Sequence, residues 1–353
     1  MLVRHHRGLH VGVGAQWYGG RGLFFGGDVG QGYNSSVQQV FIDYITIQTT
    51  GNATNFGNLT HSRGMRGMSG TSDGTRGLMM GGGPQVYGQG NKTIDYVTIA
   101  TTGNATNFGN MTVARDNYCS GACSDGTLGV MAGGQDRTGS NDSGQGTNNV
   151  DLEVIDYVTI ATTGNATDFG NLTAGRCFGA AAASDGIYGL FAGGYGQFNN
   201  YYTDIMDYIT IATTGNAVDF GDLASEKCET SGTGDATRYI FAGGKGSWGQ
   251  IIFKQIDYGN FATPANASDF GDLTTTGGIV WDGQEYGGSF SPGAVTDLSR
   301  ACFGGSHGET SSGWYDSNHI DYITIATTGN ATDFGTMTHS TYDHGKHGGC
   351  AGG

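Results

Sequence analysis

The sequence predicts an all-β fold, a six-bladed β-propeller with about four antiparallel strands per blade, on three observations. A sixteen-residue unit recurs six times, glycine makes up 68 of 353 residues, and each unit reads as two strands joined by a turn. Gly costs about 1 kcal/mol against Ala inside a helix, so glycines spread through the whole chain disfavour helices. With only 3 prolines and no three-residue glycine step, the chain is not collagen. Its 17 Phe, 18 Tyr and 4 Trp provide the apolar surface that a disordered Gly-rich chain lacks.

The repeat comes first because it sets everything else. IDYITIQTTGNATNFG (42–57) returns as IDYVTIATTGNATNFG (94–109), IDYVTIATTGNATDFG (155–170), MDYITIATTGNAVDFG (206–221), IDYGNFATPANASDFG (256–271) and IDYITIATTGNATDFG (320–335). Asp and Phe stand 13 residues apart in all six, whereas the units step by 52, 61, 51, 50 and 64 residues. A constant core with variable spacers means fixed strands joined by loops of different length.

Tyr-Ile-Thr-Ile-Ala alternates and is β-branched, Thr-Gly-Asn-Ala supplies turn residues tolerant of positive φ, and Asp-Phe-Gly-Asn-Leu-Thr opens another run. These are strands C and D. Before them lies a short apolar strand B closed by glycines: GLFFGG (22–27), GLMMGGG (77–83), GVMAGG (129–134), GLFAGG (189–194), YIFAGG (239–244) and ACFGG (301–305). A segment of tiny residues ending in an Asp-Gly turn, as in GAAAASDG, precedes B and reads as strand A. Four strands per unit of about 50 residues is the signature of propeller blades. Solenoid coils are shorter than these units, which disfavours a left-handed β-solenoid. Strand A is expected nearest the crowded axis, where Ser69, Gly121, Ala182 and Ala183 fit and Leu would not.

The blades are expected at about 4–60, 61–112, 113–173, 174–224, 225–274 and 275–338. HHRGLHVGVGA reads as strand A of the first. Residues 339–353 are then surplus, a closing segment or a partial repeat, and the favoured reading lays them over the junction between blades six and one. CAGG in that tail imitates the end of a B strand. Cys302 and Cys350 stand two residues before a Gly-Gly doublet, where Phe191 and Phe241 stand in other copies, and read as small buried hydrophobes.

Two residue sets recur with the repeat. The Asp-Tyr aspartates are Asp43, Asp95, Asp156, Asp207, Asp257 and Asp321; the basic residues between D and the next A are Arg63, Arg115, Arg176 and Lys227. Catalytic residues are unique within a site, so recurring ones are assigned to hydrogen bonding or pairing between blades. The Asn-Ala-Thr sequons are read as turn chemistry.

In this order (basic residue, small strand, Asp-Gly turn, apolar strand closed by Gly-Gly, acid and Tyr, later aromatic) the chain resembles the Kelch-repeat propellers over nearly its whole length. It departs in reading Asp-Tyr for Tyr-Asp, Phe for Trp and a longer C–D hairpin; Gly277 replaces the fifth basic residue, and 272–300 is an irregular insertion. The resemblance implies the fold and carries over no partner or activity. The TIATTGNATDFG units also resemble those of predicted structural proteins of marine tailed phages.

Sixteen Lys+Arg against 31 Asp+Glu give a formal charge of −15, with no basic stripe for nucleic acid. No apolar run reaches the roughly 18 residues of a membrane span, so no membrane insertion is expected. Six cysteines at irregular spacing do not make a zinc ribbon. Metal-protease, Walker, nucleophile-elbow and dinucleotide motifs are missing from the sequence, so no enzyme activity and no cofactor is expected. Galactose oxidase, a Kelch-type enzyme, needs a copper site with a modified Tyr, and no pattern here assigns one.

Histidines gather at the two ends: His5, His6 and His10, and His339, His344 and His347. Closing a propeller brings its ends together, so these with Asp343 and Cys350 are a speculative metal site beside the plainer reading of loose terminal histidines. The stretch Asp136 to Glu153 lacks the spacing of an EF-hand calcium loop.

The B–C spacers differ most and leave the B strands in one direction, so they share one rim. Their Tyr, Trp, Phe, Asn, Gln and Gly suit adaptable binding loops, with Tyr195, Phe198, Tyr201, Tyr202, Trp248, Trp314 and Tyr315 as candidate contacts. The alternative is loops that merely cover blade ends. Read from Met1, the chain lacks the apolar core of a signal peptide, yet its low Lys resembles proteins that work outside cells. A virion part assembled in the host cytoplasm satisfies both. The expectation is a non-enzymatic virion structural protein, a tail fibre, spike or decoration contacting other virion subunits or a host cell-surface glycan or protein, in several copies as a homo-oligomer. The alternative is an extracellular or cell-surface carbohydrate-binding adhesin.

Overall fold

A computed structural model describes residues 17–27, 40–61, 67–82, 91–115, 121–136, 150–177, 181–196, 201–246, 251–274, 278–281, 284–287, 292–310, 313–341 and 347–353. They form six four-stranded antiparallel sheets, and the innermost strands contact one another in a closed ring. The protein is a six-bladed β-propeller.

Blade 4 shows the plan. Strand A is Ala181–Ser184, B is Tyr188–Ala192, C is Ile205–Thr210 and D is Val218–Asp222, each hydrogen-bonded to the next. Small residues line the axis because the A strands nearly touch there. A Cβ added to Gly121 would lie 2.3 Å from Ala182, and one on Gly232 would lie 2.4 Å from the Ala182 carbonyl oxygen. Apolar side chains of B, C and D pack between blades. One cluster joins Val130, Ile155 and Phe169 of blade 3 to Phe191, Ile209 and Ile211 of blade 4, and each of the other five junctions has its counterpart.

The B-strand glycines have a backbone reason. Gly193 and Gly194 sit at φ 67° and 121°, Gly243 and Gly244 at 68° and 113°, a region costly for side chains with a Cβ. Blade 6 is shifted by one residue against this doublet: Cys302 pairs with Tyr322 as Leu190 pairs with Tyr208, and Gly305 alone is left-handed, at φ 66°. Cys302 thus occupies the place of Leu190, not that of Phe191. It is fully buried, as the sequence suggested for it.

Closure differs from the junction reading. His347–Gly352 is strand A of blade 1, antiparallel to Arg21–Gly26 with Cys350 opposite Leu23. The tail is an integral strand, and its Gly348 and Gly349 lie where a B-strand doublet does not. The small-residue pattern His-Gly-Gly-Cys-Ala-Gly matches an axial strand, which resembles CAGG at the end of a B strand only in composition. HHRGLHVGVGA lies outside the described residues, and the position expected for it is filled by the C-terminal strand.

Antiparallel order divides the loops between two rims. A–B and C–D turns share one, the turn rim; B–C spacers and D–A links share the other, the spacer rim.

Candidate functional site

On the spacer rim each recurring Asp is buried at the start of its C strand, between 0 % and 4 % exposed. For five of the six, a Thr at the end of strand D of the preceding blade or just past it donates its N–H and hydroxyl to that carboxylate. Thr60 Oγ1 lies 2.7 Å from Asp95, Thr173 Oγ1 2.6 Å from Asp207, and Thr338 Oγ1 2.7 Å from Asp43; Thr112 and Thr274 do the same for Asp156 and Asp321. Basic residues of the same links pair with three of the six aspartates. Arg115 Nη1 meets Asp156 at 2.6 Å and its Nε donates to the Gly133 carbonyl, Arg176 pairs with Asp207, and Lys227 Nζ lies 2.7 Å from Asp257. Arg63 lies outside the described residues.

The fourth blade-to-blade latch is the odd one. Ala224 stands where the Thr should be, so Asp257 has only a backbone N–H and Lys227. Burial raises the Asp257 carboxyl and lowers the Lys227 amine, because both charges sit away from water. Beside it a second buried pair, Lys245 with Glu229 at 2.6 Å, holds Glu229 at φ 53°. At the fifth junction, where Gly277 replaces the basic residue, His319 stands in with Nε2 3.0 Å from Asp321.

The spacers rise from this latch layer as two-stranded ribbons. Gln135–Asp136 pairs with Val150–Asp151, Tyr195–Gly196 with Tyr201–Tyr202, and Lys245–Gly246 with Ile251–Ile252. In blade 6 the ribbon continues strands B and C themselves, Arg300–Thr310 against Gly313–Thr324. Two ribbons are tied to the links below: Cys177 exchanges backbone hydrogen bonds with Tyr195, and Cys228 with Lys245.

The expected contact residues separate accordingly. Tyr195 is buried, 9 % exposed, packed with Cys177, Cys228 and Tyr202, so it anchors the ribbon from below. Tyr201 is 38 % exposed, its ring over Gly196, where an added Cβ would lie 3.0 Å from the ring. Tyr202 is half-buried, 5.1 Å from the Tyr195 ring. Trp314 and Tyr315 pair in the backbone with Glu309 and Gly308. Phe198 and Trp248 lie outside the described residues, as do the spacers 28–39 and 83–90.

Of the six terminal histidines, His5, His6, His10 and His344 also lie outside them. His339 stacks on Phe41 at 4.0 Å, and His347 is buried at the start of the closing strand beside Gly305 and Met337. Burial pushes His347 down to about 4. Among the described residues no three His, Cys, Asp or Glu side chains gather to hold a metal ion. The axis itself is narrow: a cavity of about 60 Å³ lined by Trp17, Ser72, Ser124, Ser184 and their neighbours is well under the roughly 300 Å³ of a small-molecule pocket.

The turn rim carries contacts that the sequence reading missed. Asn104, Asn165, Asn216, Asn266, Asn330 and Asn52 each accept, through Oδ1, a backbone N–H from strand D of the preceding blade at 3.0–3.2 Å. None of these Asn has a positive φ, so their recurrence reflects this bond and not turn strain. The turn also explains the Gly after each Phe: a Cβ on Gly57 or Gly109 would lie 2.1 or 2.0 Å from the carbonyl oxygen of Gly103 or Gly164. Arg21, Arg76, Arg238 and Arg300 span the same junctions, each over a Tyr ring of its own blade and donating to a carbonyl of the next. A basic residue opening strand B was the available signal.

Fold and rims together define a propeller with one rim of fixed, mutually clasped turns and one rim of variable ribbons. No family model matches the chain, and no curated protein matches it.

Proposed function

We propose that this is a non-enzymatic, Kelch-like virion structural protein, displayed on a phage particle as a fibre, spike or decoration, that contacts a host surface or neighbouring subunits through its spacer rim. One observation carries the reading: the spacers vary while the latch layer beneath them repeats, so adaptable ribbons stand on a rigid base. Variable loops on a fixed scaffold are where binding specificity is built. The recurring aspartates support the non-enzymatic part, since they are buried in latches and cannot reach a substrate. The virion context rests on the phage-like TIATTGNATDFG units. Mass spectrometry of purified particles tests it; particles that lack this chain would refute it.

Exposed Tyr201, lying flat over Gly196, favours a glycan as ligand, because an aromatic face offers stacking area to a sugar ring. The same feature serves the second reading, a cellular carbohydrate-binding adhesin. A glycan array with wild type and Tyr201→Ala identifies the ligand, and genomic neighbours separate the two contexts.

A further inference from the structure

The repeat supplies its own control for what the turn rim needs. Among the described residues four large apolar side chains are exposed, and two of them, Ile187 at 43 % and Val218 at 55 %, stand at the turn-rim end of blade 4. Ile187 closes the A–B turn, where the four other A–B turns carry an exposed Thr or Ser; Val218 opens strand D, where the other five blades carry an exposed Thr or Ser. Hydroxyl residues therefore satisfy the backbone at both places, and the turn geometry does not demand the apolar pair. Tyr188 changes with them: it opens strand B, where blades 1, 2, 5 and 6 have Arg21, Arg76, Arg238 and Arg300.

These residues are contiguous. Val218 lies opposite Tyr208 in the C–D ladder, the Tyr208 ring is 5.9 Å from that of Tyr188, and Ile187 is the neighbouring residue. Beside it the Trp17 ring covers Gly186, where an added Cβ would lie 2.3 Å away. The surroundings are acidic. Asp168 and Asp219 are exposed at the starts of the D strands of blades 3 and 4, and Asp125 and Asp235 stand half-buried in the A–B turns of blades 3 and 5. Elsewhere on this rim the Arg that opens strand B brings a guanidinium to a tip carbonyl of the next blade. Leu128 and Tyr188 hold that place in blades 3 and 4, so the junctions on both sides of blade 4 have the acidic edge without its cation.

We propose that the turn-rim end of blade 4 is a docking surface for a short segment of another protein, one that carries an apolar anchor flanked by Arg or Lys. Ile187 and Val218 offer the anchor apolar area that is otherwise left in water. Asp168 and Asp219 meet the flanking cations, which bring to this sector the positive charge that the B-strand arginines bring to the rest of the rim. The patch is small, so its occupant is a segment and not a broad face. A second copy of this chain does not fit, because it carries the same −15 and would set aspartates against aspartates. The patch occurs on one blade of the six, so one segment binds per chain. This surface is independent of whatever the spacer rim binds.

Selection from a displayed library of random peptides is the test, with the full chain as bait and the double variant Ile187→Thr, Val218→Thr as counter-bait. Both replacements install a residue that other blades carry at the same place, so the melting curve should stay that of a folded propeller. Peptides with Arg or Lys around Trp, Phe or Leu are expected. A synthetic copy of the most enriched one, followed by fluorescence anisotropy, should bind one per chain and about tenfold or more weaker to the double variant. Its affinity for the unaltered chain should fall as salt rises from roughly 0.05 to 0.5 M. Asp168→Asn with Asp219→Asn, after Asn55 and Asn107 of blades 1 and 2, should weaken it too, and Tyr201→Ala on the other rim should not. A selection that returns no peptide distinguishing the two baits, peptides that are acidic or uncharged, or binding indifferent to the two aspartates would overturn the proposal. So would a dimer in sedimentation velocity that the double variant abolishes, since the occupant would then be a second copy.

Discussion

Asn104 of the second blade accepts a hydrogen bond from the backbone N–H of Asn58 on the outermost strand of the first, at 3.1 Å, and the bond recurs at every junction of the ring. It turns a hairpin tip into a clasp. With the buried-Asp latches on the opposite rim, five made by Thr and one by Lys227, each blade grips its predecessor at both ends of the sheet, and the apolar clusters fill the space between. The ring is thereby stiff at the place where the ribbons stand.

Removing a clasp should cost less than wedging one apart. Asn165→Ala loses one partly solvated hydrogen bond, worth about 0.5–1.5 kcal/mol. Gly109→Ala places a Cβ 2.0 Å from the Gly164 carbonyl oxygen, where no flexible side chain can yield, and an overpacking cost of about 1–3 kcal/mol or more is expected. Urea unfolding of both variants should rank Gly109→Ala clearly below Asn165→Ala.

The buried pairs should behave asymmetrically. Asp156→Ala leaves the Arg115 guanidinium buried at 0 % exposure without its carboxylate, and about 3–5 kcal/mol of stability should be lost. Lys227→Met combined with Asp257→Leu removes both charges of the latch that lacks its Thr and should stay within about 1 kcal/mol of wild type or exceed it. A double cycle that found the two changes at Lys227 and Asp257 additive would contradict the pairing.

His347 makes closure sensitive to acid. It is neutral when folded, with a value of about 4 against the ordinary 6.5, so the unfolded chain binds the proton first. Its contribution is therefore complete above pH 6.5 and is lost as pH falls toward 4, a change of about 3 kcal/mol. Two groups run the other way: the raised Asp257 favours the folded chain as pH falls, and the raised His319 contributes below 6.5 and loses that contribution as pH climbs through its folded value. Unfolding free energies at pH 7, 5.5 and 4 should drop more steeply for wild type than for His347→Leu.

Deleting residues 347–353 should open the ring at blade 1. The innermost strand disappears, exposing the edge of Arg21–Gly26 and the cluster of Leu23, Phe25 and Met79 that Cys350 helps to cover. A broadened, earlier melt and binding of a hydrophobic dye are expected.

Blade number and strand order were legible because Asp and Phe keep one spacing while spacers vary, and because glycine doublets and tiny residues mark strand ends and the axis. Closure was harder to read. The first residues resemble a small-residue strand as well as the last ones do, and sequence order alone does not say which end pairs with Gly22–Phe25. The Asn clasp is hidden for another reason: Asn is so common in turns that turn chemistry alone accounts for it in the sequence, whereas its partner lies on another blade. Tyr195 and Tyr201 look alike in a spacer, and their opposite roles follow from a two-residue ribbon whose alternation buries one and exposes the other.

The most direct test of the spacer rim as the contact surface is cross-linking mass spectrometry on purified particles. Lys92 and Lys254 are exposed, and both stand on that rim at the approach to a C strand. The account predicts that the chain is present and that these two amines are linked to another virion protein or, on adsorbed particles, to a host-surface molecule. Particles without the chain, or lysines on this rim linked only within the chain itself, would contradict it.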